Sequence, residues 1–336
     1  MKIFKKFLSV LFRISISLVL LIFLFKQVDK KSLIDILRNV DVPMLLWAFG
    51  IFSLNYLLCF YRWNMLLKAS GINVPAWRAF VAYCGGIFFS LFLPTSIGGD
   101  FVRSVDLAVH TKKPSEVVAT VILDRLSGFI GLVVLALAAL FLGWKFMQNS
   151  AILAAVGVLT AILVSVLLVM FNNYIYTRTN SLLSAVRPGP DLTRPGNAVS
   201  RIAAMLGKLK ELLKETHKEI HYFRRHKKTI IINIAISILI QTISPLTFYL
   251  TALSLGIKIN ILYFFVFLPV IGAITLLPVS IGGLGIRDAA TIYFFAQAGV
   301  SKYSAFAMSL VSFSFIIVYA SLGGLVYVLA VRDRRV

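Results

Sequence analysis

Pro94-Thr95-Ser96-Ile97-Gly98-Gly99-Asp100-Phe101-Val102-Arg103 decides the fold of this chain, because it recurs 184 residues later as Pro278-Val279-Ser280-Ile281-Gly282-Gly283-Leu284-Gly285-Ile286-Arg287. Six of the ten positions are identical without a gap, and a leucine precedes the proline in both copies, as Leu93 and Leu277. Proline removes a backbone donor and turns the residue before it away from helix. Paired glycines permit a turn and let another group approach the backbone closely. Each copy therefore reads as a break between two half-helices. The second half begins near Ser96 or Ser280, where a hydroxyl can cap it.

The sequence around the two breaks is that of a membrane protein. Of 336 residues, 59% are apolar and 14% charged, against roughly half and about a quarter in soluble domains. Apolar runs at about 8–25, 43–61, 117–143, 151–171, 229–254 and 304–331 approach or exceed the ~20 residues that a helix needs to cross the hydrocarbon core. The N-terminal run follows a basic Met1-Lys2-Ile3-Phe4-Lys5-Lys6 start but has no small-residue cleavage site before Lys26, so it reads as a retained span. Two further apolar segments, 77–93 and 260–277, each run into a Pro-Gly-Gly motif. Irregular backbone at membrane depth survives only where protein or a water-filled cavity surrounds it.

Charge sets the orientation. Lys and Arg number 34 against 13 acids, a net charge of +21. In a soluble chain this would point to nucleic acid; here it is explained by basic residues collecting in cytoplasmic loops, so no nucleic-acid partner is expected. If each motif is the tip of a re-entrant hairpin and the N-terminus is cytoplasmic, loops 62–78, 103–116 and 172–228 and both termini lie inside, with 25 of the 34 basic residues. Single crossings would move 172–228, with its 12 basic residues, to the outside. The expected architecture is an all-α integral membrane protein of about six full spans plus two re-entrant helical hairpins in an inverted repeat. Residues 1–171 form the first repeat, 172–228 a basic cytoplasmic loop, and 229–336 the second repeat. Within the loop, apolar residues of 201–228 such as Ile202, Met205, Leu209 and Leu212 suit one face of a helix lying on the inner membrane surface. Hairpins entering from opposite sides bring their tips together near the midplane, a transporter pattern.

The candidate site follows. Glycine turns at half-helix N-termini present amide N–H groups to an anion, and Arg103 and Arg287, four residues after the second glycine and one turn into each half-helix, offer guanidinium forks suited to phosphate. Asp124-Arg125 lies inside an apolar span, where charges are costly and face a partner or a cavity. Asp100, Asp106 and Asp288 are available partners for these arginines, so a salt-bridge network and direct substrate contact both remain open. The candidate substrate-binding residues are thus Ser96, Gly98, Gly99, Asp100, Arg103, Asp124, Arg125, Ser280, Gly282, Gly283, Arg287 and Asp288. Gln241 and Pro245 are placed to bend their span toward the cavity, and Gly323-Gly324 reads as a helix-packing position. No catalytic residue, metal site or cofactor is expected. His217 and His221 have no third ligand, and no phosphate-loop, His-Glu-x-x-His or nucleophile-elbow motif occurs. Cys59 and Cys84 lie within apolar runs and indicate no disulfide framework.

Leu93-Pro-Thr-Ser-Ile-Gly-Gly-Asp100 with Arg103, Asp124-Arg125-Leu-Ser-Gly128 and Pro278-Val-Ser-Ile-Gly-Gly-Leu-Gly-Ile-Arg287 together resemble the flippase-like family that includes the membrane domain of bacterial lysylphosphatidylglycerol synthase. The resemblance spans nearly the whole chain. It implies re-entrant segments, the three motifs lining a lipid path, and movement of an anionic phospholipid, an aminoacylated phospholipid or a polyprenyl-phosphate-linked lipid between leaflets. Asp288 stands where relatives carry Glu, which keeps the charge. No soluble aminoacyl-transfer domain follows the last span before Val336, so lysyl transfer is not expected of this chain. The expected setting is the inner (cell) membrane, with cytoplasmic termini and an anionic lipid as partner. The alternative is a membrane component or partner of an envelope-biosynthesis enzyme, an aminoacyl- or glycosyl-transferase.

Overall fold

The computed structural model describes residues 30–93, 96–142, 144, 150–171, 177, 227–275 and 283–332. The first span expected at 8–25, almost all of the basic loop with its amphipathic helix, His217, His221, Ser280, Gly282 and the side chain of Ser96 lie outside this description. Among the described residues every regular element is helical: α1 Lys30–Arg38, α2 Val42–Ala69, α3 Ala76–Ser90, α4 Ser96–Thr111, α5 Pro114–Leu142, α6 Ser150–Phe171, α7 Lys227–Ser254, α8 Ile261–Thr275, α9 Ile286–Ala296 and α10 Lys302–Arg332.

Four of these helices, α2, α5, α7 and α10, are long and apolar enough to cross a membrane. They match the runs expected at 43–61, 117–143, 229–254 and 304–331. Helix α2 starts where Asp41 accepts the Met44 N–H at 3.1 Å with a proline just inside, a side-chain cap joined to a pre-set backbone angle. In α7 the hydroxyls of Thr242, Thr247 and Thr251 donate to the carbonyls of Ile238, Ile243 and Thr247, so their polarity is met inside the helix. Pro245 is accommodated within the same helix.

The segments feeding the two motifs are shorter. Helices α3 and α8 have 15 residues each, about 22 Å at 1.5 Å per residue and short of the ~30 Å hydrocarbon core. Helix α3 packs against α4, and α8 against α9. Two long helices contact both pairs: α5 touches α4 and α8, and α10 touches α3 and α9. The contacts fall at opposite ends of these spans. Val117 and Val121 of α5 join a core with Ala79, Ala82 and Leu107 of the first pair. Ala136 and Ala139, at the other end of α5, join Phe264, Phe267 and Phe295 of the second pair. On α10, Phe306 belongs to that second core, whereas a Cβ on Gly323 would lie 3.0 Å from the Cys84 carbonyl oxygen of α3. The expected packing role of Gly323-Gly324 is realised there.

The two breaks are built differently. The first half-helix restarts at Ser96, as its sequence indicated. The second restarts at Ile286, later than the expected Ser280. Gly283 and Gly285 both take positive φ, 75° and 80°, a backbone form that side-chain-bearing residues rarely adopt. The extra Leu284-Gly285 turn carries the chain to its cap, where Asp288 accepts the Gly285 N–H at 2.9 Å. Arg103 consequently lies two turns into α4, whereas Arg287 is the second residue of α9.

Candidate functional site

The first hairpin depends on contact between two glycines. A Cβ on Gly86 of α3 would come within 2.9 Å of the Gly99 carbonyl oxygen, and one on Gly99 would collide with the carbonyl oxygen of Gly86. With no side chain at either position, α4 lies against α3 and turns Asp100 and Arg103 toward α2 and α5. Gly131 does the same for α5, where a Cβ would lie 2.8 Å from the Ser237 carbonyl oxygen of α7.

Five charged side chains meet at this junction. Arg62 Nε donates to Asp124 Oδ1 at 2.7 Å, and Arg103 Nη2 donates to Asp124 Oδ2 at 3.0 Å. Arg103 Nε reaches Asp100 Oδ1 at 3.0 Å, and Arg125 Nε pairs with Asp100 Oδ2. Arg62 Nη1 also donates to the Ser237 hydroxyl at 2.9 Å, tying α7 to the network. Arg62, Asp100, Arg103 and Asp124 are all buried. Taking charges out of water costs several kcal/mol per ion, and the geometry must offset that cost; here both aspartates are bridged by two arginines. The four buried members balance, two guanidinium groups against two carboxylates, while the third guanidinium belongs to Arg125, whose side chain is 41% exposed.

Arg103 is the centre of the network, paired with both aspartates. Its guanidinium carbon lies 4.6 Å from the Trp63 ring centroid and 5.7 Å from that of Tyr83, positions in which the ring faces attract a cation. Trp63 is held in turn by a 3.2 Å bond from Nε1 to the Thr120 hydroxyl. Only 4% of Arg103 is exposed, and its Nη1 is buried without a hydrogen-bond partner among the described residues. A guanidinium accepts nothing and presents five donors in a fixed fork, so an unused donor here is an open position for an acceptor.

A cavity of about 350 Å³ adjoins it. Arg103, Asp100, Arg125 and Gly99 line it together with Gln241 and Gly272 of α7 and α8. Gln241 donates to the Gly128 carbonyl at 3.0 Å, so this polar residue supports the cavity wall. Asp124 and Gly128 of α5, Cys59 of α2 and Gln241 of α7 all line the cavity near the middle of their helices. The polar site therefore sits at mid-length of three spans.

Of the residues expected at the site, the structure gathers Gly99, Asp100, Arg103, Asp124 and Arg125 around this cavity. Gly98 packs in the first turn of α4 against Leu93. Gly283, Arg287 and Asp288 form a separate cluster. Arg287 Nη2 donates to Asp288 Oδ1 at 3.1 Å and Nε to the Ser309 hydroxyl at 3.3 Å, with the guanidinium 4.7 Å from the Phe313 ring centroid. Asp288 is fully buried and also accepts from Ser309. Asp106, another expected partner, instead takes a two-pronged bond from Arg78 at 2.6 and 2.8 Å.

Arg62 was missed as a site residue, because the second apolar run was ended at 61 and Arg62, Arg78 and Arg103 were counted among cytoplasmic loop charges. All three are buried. The available signal was the continuation of Tyr61-Arg62-Trp63 into Met65-Leu66-Leu67, which marks a lone charge within a helix rather than its end.

The sequence matches the family described as lysylphosphatidylglycerol synthase TM region over residues 10–324. The chain belongs to this family. It is also similar to a UPF0104 membrane protein of Methanothermobacter thermautotrophicus (strain Delta H), 26% identical over 291 residues, covering 80% of this chain and 79% of that protein. No solved structure matches. This member of the lysylphosphatidylglycerol synthase TM region family is a multi-pass helical membrane protein with a buried cluster of paired charges near the middle of its long helices.

Proposed function

We propose that the protein is a lipid transporter that moves an anionic lipid between leaflets, the phosphate of the headgroup passing the arginine-lined cavity while the chains stay in the bilayer. The lipid is an anionic phospholipid, an aminoacylated phospholipid or a polyprenyl-phosphate-linked lipid. The observation that carries this reading is the Nη1 of Arg103, buried beside the cavity without a hydrogen-bond partner among the described residues. Leaving a buried donor unsatisfied costs about 1–3 kcal/mol or more, a cost that an acceptor entering the adjoining cavity would offset.

In this reading the two hairpins enter from opposite faces, the first from the cytoplasm, and complete a six-span inverted repeat in the inner membrane with cytoplasmic termini. The short α3 and α8 and their packing at opposite ends of α5 and α10 support it. So does the charge balance, which survives the burial of three arginines because the 172–228 loop dominates it. Asp100, Arg103 and Arg125 contact the headgroup, with Gly99 leaving room beside them. Asp124 and Arg62 position Arg103. Gly283, Arg287 and Asp288 brace the second hairpin.

The test is translocation in liposomes that hold the purified full-length chain, with fluorescent phosphatidylglycerol, lysylphosphatidylglycerol and a polyprenyl phosphate as probes and an uncharged lipid as control. At least one anionic probe is expected to cross faster than in protein-free vesicles, and Arg103→Ala to slow it about tenfold or more, the worth of a charge-assisted hydrogen bond. Movement of no probe above the protein-free rate, or an unchanged rate in the variant, overturns the proposal.

A further inference from the structure

A second, smaller space adjoins the arginine cavity. It measures about 150 Å³ and is lined by α2, α3 and α10, with Leu57, Phe80, Cys84, Tyr319, Leu322 and Val326 among its walls and no charged side chain among the described lining residues. Tyr56, Tyr83 and Ile87 line both spaces. The aromatic wall is firmly set: Tyr56 stacks on Tyr319 at 4.3 Å between centroids, and the Tyr319 hydroxyl donates to the Ser53 carbonyl at 3.4 Å. Leu57 and Leu322 are about half exposed, 51% and 52%, and both stand on helices long and apolar enough to span a bilayer. The crevice therefore opens toward lipid rather than toward water.

We infer that this crevice is a binding site for one acyl chain of the lipid whose anionic headgroup occupies the arginine cavity. The inference rests on the headgroup reading of that cavity and refines its account of the chains: one is held in the crevice at the protein–lipid boundary while the rest of the lipid's apolar part stays in the bilayer. The two spaces differ in the way the two ends of an amphiphile differ. One is lined by Arg62, Arg103 and Arg125, with the Arg103 Nη1 unused, and the other has aromatic and aliphatic walls. Their separation is one aromatic ring, since the Arg103 guanidinium lies 5.7 Å from the centroid of Tyr83, which also lines the crevice. A free phosphate would satisfy Arg103 and leave the crevice without a role. A neutral lipid would fill the crevice and leave Arg103 unsatisfied. An anionic lipid uses both, and burying its methylenes contributes in proportion to the apolar area removed from competing surroundings.

The experiment uses the full-length chain in an uncharged detergent, two photoreactive probes and mass-spectrometric mapping of adducts. The probes are phosphatidylglycerol with a diazirine in one acyl chain and diacylglycerol with the same chains. Adducts of the anionic probe are expected on the crevice walls of α2, α3 and α10, displaced by unlabelled phosphatidylglycerol. Arg103→Ala should lower these crevice adducts about tenfold, although Arg103 does not line the crevice. Leu322→Trp, a lipid-facing change that leaves the ion network intact, should lower them to the level of the diacylglycerol probe. This second variant keeps the test decisive if Arg103→Ala fails to fold. Displacement by inorganic phosphate at the arginine cavity without loss of crevice adducts, equal crevice labelling by both probes, or adducts spread evenly over the lipid-facing helices overturns the inference. Failure here with translocation intact removes the tail site alone, whereas crevice labelling without translocation removes the transport reading.

Discussion

At the first hairpin, Arg103 lies two turns into α4 between two aspartates and beside two further arginines. At the second, Arg287 is the second residue of α9, paired with the adjoining Asp288 and a serine. Both motifs place proline and glycines after a 15-residue half-helix, so the shared residues account for the shared hairpin. The electrostatic difference comes from the positions that are not shared. Asp100 directly follows the first glycine pair and lies three residues before Arg103, on the same helix face. In the second copy, Leu284-Gly285 takes its place, and the acid falls at Asp288, where it caps α9. The motif residues are shared, and the positions that differ give the first copy a buried network of paired charges that the second lacks among the described residues.

The largest effect should come from Asp124→Ala. It leaves Arg62 and Arg103 buried without their common carboxylate, and breaking a buried pair costs about 3–5 kcal/mol. The unfolding midpoint in detergent is expected to fall sharply and the yield of monodisperse protein to drop. Asp124→Asn, which keeps one acceptor but loses the charge, should recover only part of it. An Asp124→Ala variant as stable as the parent would dissolve the contrast, because the first cluster would then be no better founded than a surface ion pair.

Arg287→Ala against Arg103→Ala sharpens the comparison next. Removing Arg287 leaves Asp288 buried, although still accepting from Gly285 and Ser309, so its cost is to stability, about 1–3 kcal/mol. Lipid translocation per folded molecule should change little. Arg103→Ala should instead depress translocation in the folded fraction. Equal losses of rate in both variants would mean that the second hairpin also contacts the headgroup.

The fold was legible where it depended on long apolar runs and on breaks that glycine and proline impose by backbone chemistry alone. Four spans, both hairpins and the restart at Ser96 follow from such local rules. The site was legible only in part. Asp100, Arg103, Asp124 and Arg125 were chosen from motif and burial cost, and they do assemble. Their partner Arg62 comes from 62 residues away in the chain, and Trp63 and Tyr83 are distinguished from ordinary core aromatics only by the guanidinium between them. Arg287 differs from Arg103 in its place on the half-helix for a related reason. The sequence shows its identity with Arg103, but the change of cap at Gly285 that moves it to the start of α9 is a property of backbone angles.

Substitution of the glycines tests the two hairpins by different routes. Gly99→Ala drives a methyl into the Gly86 carbonyl of the neighbouring helix, an overpacking expected to cost about 1–3 kcal/mol. Gly283→Ala meets no backbone but must hold φ near 75°, costing about 1–2 kcal/mol. In thermal unfolding the first should be relieved by no other side chain, because every one of them carries the Cβ that meets the Gly86 carbonyl. The second should be partly relieved by Asn, which tolerates the left-handed region better than Ala. Relief of Gly99→Ala by Asn would show that the first turn is limited by backbone angle rather than by contact.

Gly272 gives the smallest and most selective effect. It is where α8 of the second hairpin reaches the arginine cavity, and a Cβ there meets nothing within 4 Å. Alanine is favoured over glycine inside a helix by about 1 kcal/mol, so Gly272→Ala should leave the unfolding midpoint unchanged or raise it slightly. The added methyl projects into open space at the arginine cavity, the proposed path of the headgroup. Translocation should therefore fall by about twofold, a loss of roughly 0.4 kcal/mol in barrier terms, while stability does not fall. No other substitution considered above separates the two measurements in that direction. A variant that gains stability and keeps its full rate would confine the path to α2, α4, α5 and α7, leaving the second hairpin as a support alone.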